Sequence, residues 1–310
     1  MTLRFTLRQL EYLVAVADAG TVAAAAQRVS VSPPSVSAAI AQLEADLGLP
    51  LFVRRHAQGL TPTPAGRAIL AEARAVLKGA ARLLDRAGEI RGTVRGPLHV
   101  GCLVTFAQTV LPAVRRRFVD RYPEVIFRQS ERDQAGLLDG LRRAEIDLAL
   151  TYDLDLPDDL GFDPLVGLPP YAVLPAGHAL AGRAALGAAD LAPEPLVLLD
   201  LPMSAAYFLS FFAAAGLTPR IAERTRDLDV ARGLVANGFG YTIANFRPVS
   251  DRAPDGRRLA FVPLEGAIRP MRMGLLYGPG AEASHTVRSF AAFCRAEIRP
   301  GATPGLHALP

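Results

Sequence analysis

Apolar residues recur at helical spacing in three short runs within the first fifty positions. They are Leu7, Leu10, Val14 and Ala17; then Val22, Ala25, Ala26 and Val29; then Val36, Ile40, Leu43 and Leu47. Each run carries its own start and stop signals. Thr6 and Gln9 stand at capping-box spacing before the first, and Gly20 closes it. Thr21 caps the second. Ser32 caps the third, Pro33 occupies its first helical position, and Gly48 ends it. The tight Ser30-Val31-Ser32 connection makes the last two helices a helix-turn-helix, whose second helix can enter a major groove. The outer face of that helix carries Pro34, Ala38, Ala41, Gln42 and Ala45, flanked by Ser35 and Ser37. So small and uncharged a face is unusual for a solvated helix, although the same geometry also suits an ordinary helical hairpin.

The pattern changes after Gly48. Residues 51–53 and the Leu60 region predict a short hairpin with Gly59 in its turn. Such a wing places Arg54, Arg55 and His56 for phosphate or minor-groove contact. Thr63 and Pro64 then start a long helix. Ile69, Ala73, Val76, Ala80, Leu83, Ala87 and Ile90 alternate steps of four and three along it, with Leu70, Leu77 and Leu84 alongside. That is a seam of coiled-coil period, which predicts pairing with the same helix of a second subunit; folding back on its own domain is the alternative.

Gly92 and Gly96-Pro97 mark a linker, and strands alternate with helices beyond it. Strands at 98–103, 125–130 and 146–151, with helices at 111–121 and 134–143, predict a βαβαβ unit with a parallel sheet. A second such unit runs over 196–199, 204–215, 220–223, 228–236 and 241–244. Strands at 162–166 and 171–174 lead from one lobe to the other; 259–263 and 272–277 return, and 285–297 is a closing helix. The predicted organisation is a winged helix-turn-helix over 1–63 (all-α with a small β wing) and a linker helix over 64–90. An α/β ligand-binding domain of two hinged lobes follows over 91–300. Lobe I covers about 96–163 and 269–298, lobe II about 164–268, and the glycine- and proline-rich 301–310 is expected to be disordered.

Composition narrows the functions. The formal net charge of +4 permits nucleic-acid binding without demonstrating it. Two isolated cysteines, Cys102 and Cys294, suit a reduced cytoplasmic setting and neither a disulfide framework nor a zinc site. No run resembles a signal peptide or a membrane span, so secretion and membrane partners are not expected. Neither a GxGxxG at a strand–helix junction, a phosphate loop, a GxSxG nor a metal-spaced His/Cys set occurs, and no enzyme or cofactor is expected. Asp153, Asp155, Asp158 and Asp159 lack the spacing of a calcium loop and predict a solvated one. Cys102, inside a predicted strand, is expected to be inert core rather than a redox sensor.

Specific stretches go further. Leu7-Arg8-Gln9-Leu10-Glu11-Tyr12-Leu13, Ala24-Ala25, the helix of residues 32–40, Leu43-Glu44, Leu47-Gly48, Leu51-Phe52-Val53-Arg54 and Thr63-Pro64-Ala65-Gly66 follow in an order and spacing that resemble the LysR-type transcriptional regulators. The later element order, with Gly238-Phe239-Gly240-Tyr241, extends the likeness over nearly the whole chain. The resemblance implies that 91–300 is an effector domain whose two lobes are of the type II periplasmic-binding-protein kind. It also implies a homodimer or homotetramer that binds promoter double-stranded DNA at dyad sites, responds to a small-molecule co-inducer, and acts with RNA polymerase. Three departures stand out. Pro33 replaces a common glutamine, Ala38 and Ala39 replace a common arginine and glutamine, and the wing has Pro62 near the usual leucine. Reading must then lean on thymine methyls, water, DNA shape and phosphate anchoring.

Candidate DNA contacts are accordingly Ser32, Pro34, Ser35, Ser37, Ala38 and Gln42, with Arg54 and Arg55 in the wing. Ligands of open α/β sheets bind beyond the carboxyl ends of the strands. That rule nominates Thr105, Phe106, Gln134, Tyr152 and Asp153 from the first lobe, and Pro202, Met203, Ser204, Asp227 and Asn245 from the second. The resemblance independently points to Thr105, Gln134 and the 202–204 loop. Pro112 argues against a helix starting as early as Thr105, which leaves its hydroxyl free for a carboxylate; Asp153 and Asp227 would favour an amine. A ligand-independent nucleoid-type DNA binder and a stand-alone solute-binding protein are the competing readings.

Overall fold

A computed structural model describes residues 4–55, 59–90, 93–303, 305 and 306, the side chains of 54, 55, 84 and 85 excepted. The chain divides into two compact units at the junction of Gly96 and Pro97, with Arg143–Glu145 grouped with the first.

In the first unit the local signals act where they stand. Helix α1 (Leu7–Ala19) has the full Thr6/Gln9 capping box and ends on Gly20 at φ 70°. Helix α2 (Val22–Arg28) is capped by Thr21 and α3 (Pro33–Leu47) by Ser32, with Gly48 at φ 69° closing α3. Leu13, Val16, Ala25, Val36 and Leu43 are fully buried between them. Strands β1 (Phe52–Arg55) and β2 (Gly59–Pro62) form an antiparallel wing in which Arg54 faces Leu60 and Arg55 faces Gly59. Gly59 opens β2 at φ 76°, and a Cβ there would stand 2.5 Å from the Gly20 carbonyl oxygen.

The long helix α4 spans Pro64–Ile90. Its early seam positions do not wait for a second subunit. Leu70 and Ala73 are buried in the core of α1–α3, with Ile69 and Leu77 packed against it. The expectation that Ile69 and Ala73 belong to an intersubunit seam is therefore corrected: this end of the helix folds onto its own domain. Farther along the same helix Val76 is 44 % exposed, Leu83 75 % and Ile90 79 %. The apolar stripe thus serves two different surfaces.

The second unit contains both lobes. Lobe I comprises β3 (Gly96–Cys102), α5 (Val104–Thr109), α6 (Leu111–Arg121), β4 (Val125–Glu131), α7 (Gln134–Arg142), β5 (Leu148–Tyr152) and β6 (Phe162–Leu168). Lobe II comprises β7 (Tyr171–Pro175), α8 (Ala188–Leu191), β8 (Pro195–Leu199), α9 (Ser204–Ala213), β9 (Arg220–Thr225), α10 (Leu228–Ala236), β10 (Thr242–Ala244) and β11 (Leu259–Pro263). Strand β12 (Met271–Tyr277) and helix α11 (His285–Glu297) return to lobe I.

The lobe I sheet runs β4-β3-β5-β12-β6, with β3 parallel to β5 but β12 antiparallel to both neighbours. The sheet is therefore mixed, and β6 belongs to it. Lobe I extends to Leu168 rather than to 163, and the crossing falls on Pro169 and Pro170, which have no amide hydrogen to offer a ladder. In lobe II, β8 and β9 pair in parallel and β7 lies between β10 and β11. A bridge of Leu196 to Tyr241 joins the two ladders. The predicted helix at 111–121 is preceded by a separate short one that contains Thr105, so the expectation that Pro112 excludes so early a helix start is corrected: the proline sits in the first turn of α6, after the break at Val110. Finally, the described part of the tail is packed. Thr303 is buried and donates to the Arg299 carbonyl, and Leu306 bridges Pro248.

Candidate nucleic-acid interface and ligand cleft

The outer face of α3 stands clear of the domain core. Pro34, Ser35, Ser37, Ala38 and Gln42 are all exposed. Ser32 serves chiefly the helix itself: its Oγ accepts from the Ser35 amide at 3.3 Å and lies 2.7 Å from the Ser35 hydroxyl. Gln42 donates to Asp46 one turn on, at 3.0 Å. The wing is held against α3 by Glu44, whose carboxylate accepts from the amides of Leu51 (2.6 Å) and Phe52 (3.2 Å). Its acid–amide role was hidden in the sequence, since its partners lie seven and eight residues away, beyond the helix. Thr63 completes the joint by donating to Pro50 and capping Gly66, and a Cβ on Gly66 would meet the Leu51 oxygen at 2.0 Å. The backbone of Arg54 and Arg55 lies in β1; their side chains, and His56, fall outside the described residues.

Between the lobes a cleft with an empty volume of about 740 Å³, partly open to solvent, brings together seven of the ten nominated residues: Thr105, Gln134, Tyr152, Pro202, Met203, Ser204 and Asp227. An adjoining recess of about 330 Å³ shares Thr105, Tyr152 and Ser204 with it and is lined also by Phe208, Phe246 and Asn245. Thr105 and Ser204 come from opposite lobes, and neither hydroxyl has a protein partner among the described residues. Ser204 opens α9, a helix with no side-chain cap, behind Met203 at φ 69°. A left-handed non-glycine residue costs about 1–3 kcal/mol, and here it sits on the cleft wall.

Several nominated residues do other work. Phe106 is fully buried, with its ring 4.7 Å from Tyr152 and 5.8 Å from Phe246, and belongs to the core beneath the cleft. Asp153 is turned away from the cleft's chemistry: its carboxylate accepts from Arg272 Nε at 2.7 Å and Arg269 at 2.9 Å. Asp227 lines the cleft, yet its Oδ1 caps α10 by accepting from the amides of Asp229 and Val230. With both carboxylates so engaged, the expected preference for an amine is withdrawn. Gln134 is buried with its whole amide in use: Nε2 donates to the carbonyls of Tyr152 and Leu154, and Oε1 accepts from Thr151. The Asn245 Nδ2 is engaged within the protein, donating to the Leu168 carbonyl and the Tyr207 oxygen.

Among the cleft residues that were not nominated are two arginines. Arg132 and Arg226 line the cleft from opposite lobes. Each precedes an aspartate that caps the next helix, Asp133 on α7 and Asp227 on α10. The repeated Arg-Asp pair after β4 and after β9 was the signal available in the sequence. Arg132 is engaged, its Nη1 donating to the Gly136 carbonyl at 3.3 Å, whereas Arg226 and the hydroxyls of Thr105 and Ser204 present donors to the cleft. Burial raises the Tyr152 phenol well above its usual range, so that ring stays neutral.

Both cysteines are buried. Loss of hydration pushes the Cys102 thiol up, with Glu131 adding to it, and burial pushes the Cys294 thiol up as well. A raised thiol loses its proton only at higher pH, so little thiolate exists near neutrality. Alkylation of the folded chain by iodoacetamide at pH 8 should run at least ~100-fold slower than that of free cysteine and accelerate on unfolding. Rapid labelling of either residue by mass spectrometry would contradict this. Among the described residues no group of three potential ligands could hold a metal ion, and no helix is long and apolar enough to cross a membrane.

Residues 7–67 match the bacterial regulatory helix-turn-helix protein family, lysR family, and residues 91–299 match the LysR substrate binding domain. The chain is 32% identical over 288 residues to a probable hydrogen peroxide-inducible genes activator of Streptomyces viridosporus, covering 85% of this chain and 89% of that protein. It is similar in structure to HinK, a LysR family transcriptional regulator from Pseudomonas aeruginosa. That likeness has a TM-score of 0.64 at 33% identity over 95% of this chain and 99% of the other. Full-length CbnR, solved in complex with its target DNA, is similar at a TM-score of 0.62 and 26% identity, covering 93% and 99% of the two chains.

Proposed function

Because this chain belongs to the LysR family of transcriptional regulators, we propose that a small organic molecule bound between the lobes governs its action at a promoter. The protein is a DNA-binding transcriptional regulator with an N-terminal helix-turn-helix domain and a C-terminal effector-binding domain; its relatives are regulators, not enzymes. The observation that carries the effector reading is the pair of unpartnered hydroxyls, Thr105 and Ser204, facing one cleft from two lobes. With the uncapped start of α9 and Arg226 beside them, they suit a carboxylate or a similar anion.

On the DNA side, Pro34, Ser35, Ser37, Ala38 and Gln42 read the major groove while Arg54 and Arg55 hold phosphate. A face of this size reads thymine methyls and groove shape more than hydrogen-bonding edges. Ser32 contributes by fixing the first turn of α3. Promoter-bound protein then acts on RNA polymerase, in the cytoplasm. A peroxide-sensing reading, which the name of the Streptomyces relative invites, is not favoured by two buried thiols with raised proton affinity.

The experiment is a thermal-shift screen of the full chain against small organic acids, repeated on Thr105→Val and Ser204→Ala. A specific acid at a hundred times its Kd adds roughly 2.7 kcal/mol to stability and raises the melting temperature by several degrees. Both substitutions should remove that rise while DNA affinity without the acid stays unchanged. An acid that binds both variants as tightly as the parent chain places the effector elsewhere.

A further inference from the structure

The two chain crossings between the lobes run side by side. Leu168 pairs with Met271 on the lobe I side, Tyr171 pairs with Pro263 on the lobe II side, and the Leu264 amide donates to Pro170 at 3.3 Å between them. Backbone ladders of this kind can bend without breaking. A pair of side chains from lobe II bonds to both crossings. Asn245, at the end of β10 and only 2 % exposed, donates from Nδ2 to the Leu168 carbonyl at 2.8 Å, on the first crossing. The same Nδ2 donates to the Tyr207 oxygen at 2.9 Å. The Tyr207 hydroxyl in turn donates to the Arg269 carbonyl at 2.6 Å, on the second crossing. Arg269 is itself anchored to lobe I, where its guanidinium bonds the Asp153 carboxylate and the Asp153 carbonyl oxygen.

We propose that Asn245 and Tyr207 are positioning residues that latch both crossings and thereby set the angle between the lobes, which an effector in the cleft changes through α9. The link to the cleft is direct. Tyr207 stands on α9 one turn after Ser204, and Asn245 lines the recess that shares Ser204 with the cleft. Movement of the start of α9 toward a bound molecule therefore carries the Tyr207 hydroxyl with it. The latch is also incomplete. Asn245 Oδ1 is buried without a hydrogen-bond partner. An unmet buried acceptor raises the free energy of this arrangement relative to one that supplies a donor. The link to effector control rests on the reading of the cleft given above; the latch itself does not.

Hydrogen exchange read by mass spectrometry on the full-length chain, without effector, tests the latch. Tyr207→Phe keeps the ring against Phe208 and removes only the hydroxyl. Asn245→Leu keeps a side chain of similar size and removes both donations. Exchange should run roughly fivefold faster in the peptide that covers 264–273 for Tyr207→Phe and in the peptide that covers 166–171 for Asn245→Leu, the factor that goes with one ordinary hydrogen bond. The strands β3 and β8 and the whole helix-turn-helix domain should keep the exchange of the parent chain. Unchanged rates at both crossings would overturn the latch. Acceleration spread evenly over both lobes would overturn it too, because that marks two ordinary core residues. Either variant decides the question if the other fails to fold. The acid screen and this measurement fail independently, since one reads the cleft and the other the crossings in the absence of any ligand.

Discussion

Leu83→Asp should convert the oligomer to a monomer and lower affinity for a two-site operator by more than about a hundredfold, the factor for losing 3–5 kcal/mol at a buried unpaired charge. Leu83 lies seven residues after Val76 and seven before Ile90, so all three share one face of α4. They leave that face large, aliphatic and exposed. A row of this kind is the signature of a covered surface, and regulators of this family oligomerise. The same substitution should leave the fold of the N-terminal domain intact, because Leu83 makes no part of its core. Leu70→Asp is the contrasting control: that position is 3 % exposed within the domain, and the charge there should unfold it. Sedimentation of Leu83→Asp at micromolar concentration, with circular dichroism on the same sample, separates the two effects. An oligomer of unchanged mass would refute the assignment of the seam.

Gly240→Ala should destabilise the effector domain by roughly 2–6 kcal/mol, combining a forced backbone conformation with overpacking. Gly240 has φ 137°, and a Cβ would stand 1.9 Å from the Pro195 oxygen and 2.7 Å from its carbonyl carbon. The collision falls on the join of lobe II. The Tyr241 amide donates to that same Pro195 oxygen at 2.9 Å, and the Val197 amide donates to Tyr241 at 2.8 Å. Those two bonds knit β8 to β10 and so unite the two ladders of the lobe. Gly238→Ala makes the comparison sharp. Its φ is also positive, at 85°, but nothing lies within 4 Å of the added carbon. It should cost only about 1–2 kcal/mol, the penalty of a left-handed residue. Calorimetry should show the effector-domain transition of Gly240→Ala lowered by roughly 5–20 °C, at about 2–4 °C per kcal/mol for a domain of this size. The Gly238→Ala transition should move far less. Equal shifts would mean that the backbone angle, and not the contact with Pro195, is what demands glycine.

Several features of this molecule were decided within a few residues of chain. Ser32 with Pro33, Thr6 with Gln9, and the glycines at 20 and 48 specify helix ends through bonds that span three or four positions. Such signals act locally, so the sequence determined them by itself, and with them the helix-turn-helix and the span of the linker helix. The βα alternation and the strand-end rule likewise brought seven of ten nominated residues to one cleft.

What a side chain meets there is a different matter. Asp153 and Asp227 are identical in type and similarly placed after a strand. One is neutralised by arginines 116 and 119 residues away, and the other caps the helix beside it. Gln134 sits where the rule put it, with its amide already engaged by β5 and the loop after it. The stripe on α4 has one period throughout, yet its beginning is buried on α1–α3 and its end is bare. Periodicity records that a face is apolar and carries no information about which body covers it. The antiparallel entry of β12 between β5 and β6 was equally hidden, because strand order is fixed by where the chain returns after a hundred residues in the other lobe. Caps and periods are properties of neighbouring residues, whereas burial, charge pairing and hinge contacts are settled only when distant segments pack together.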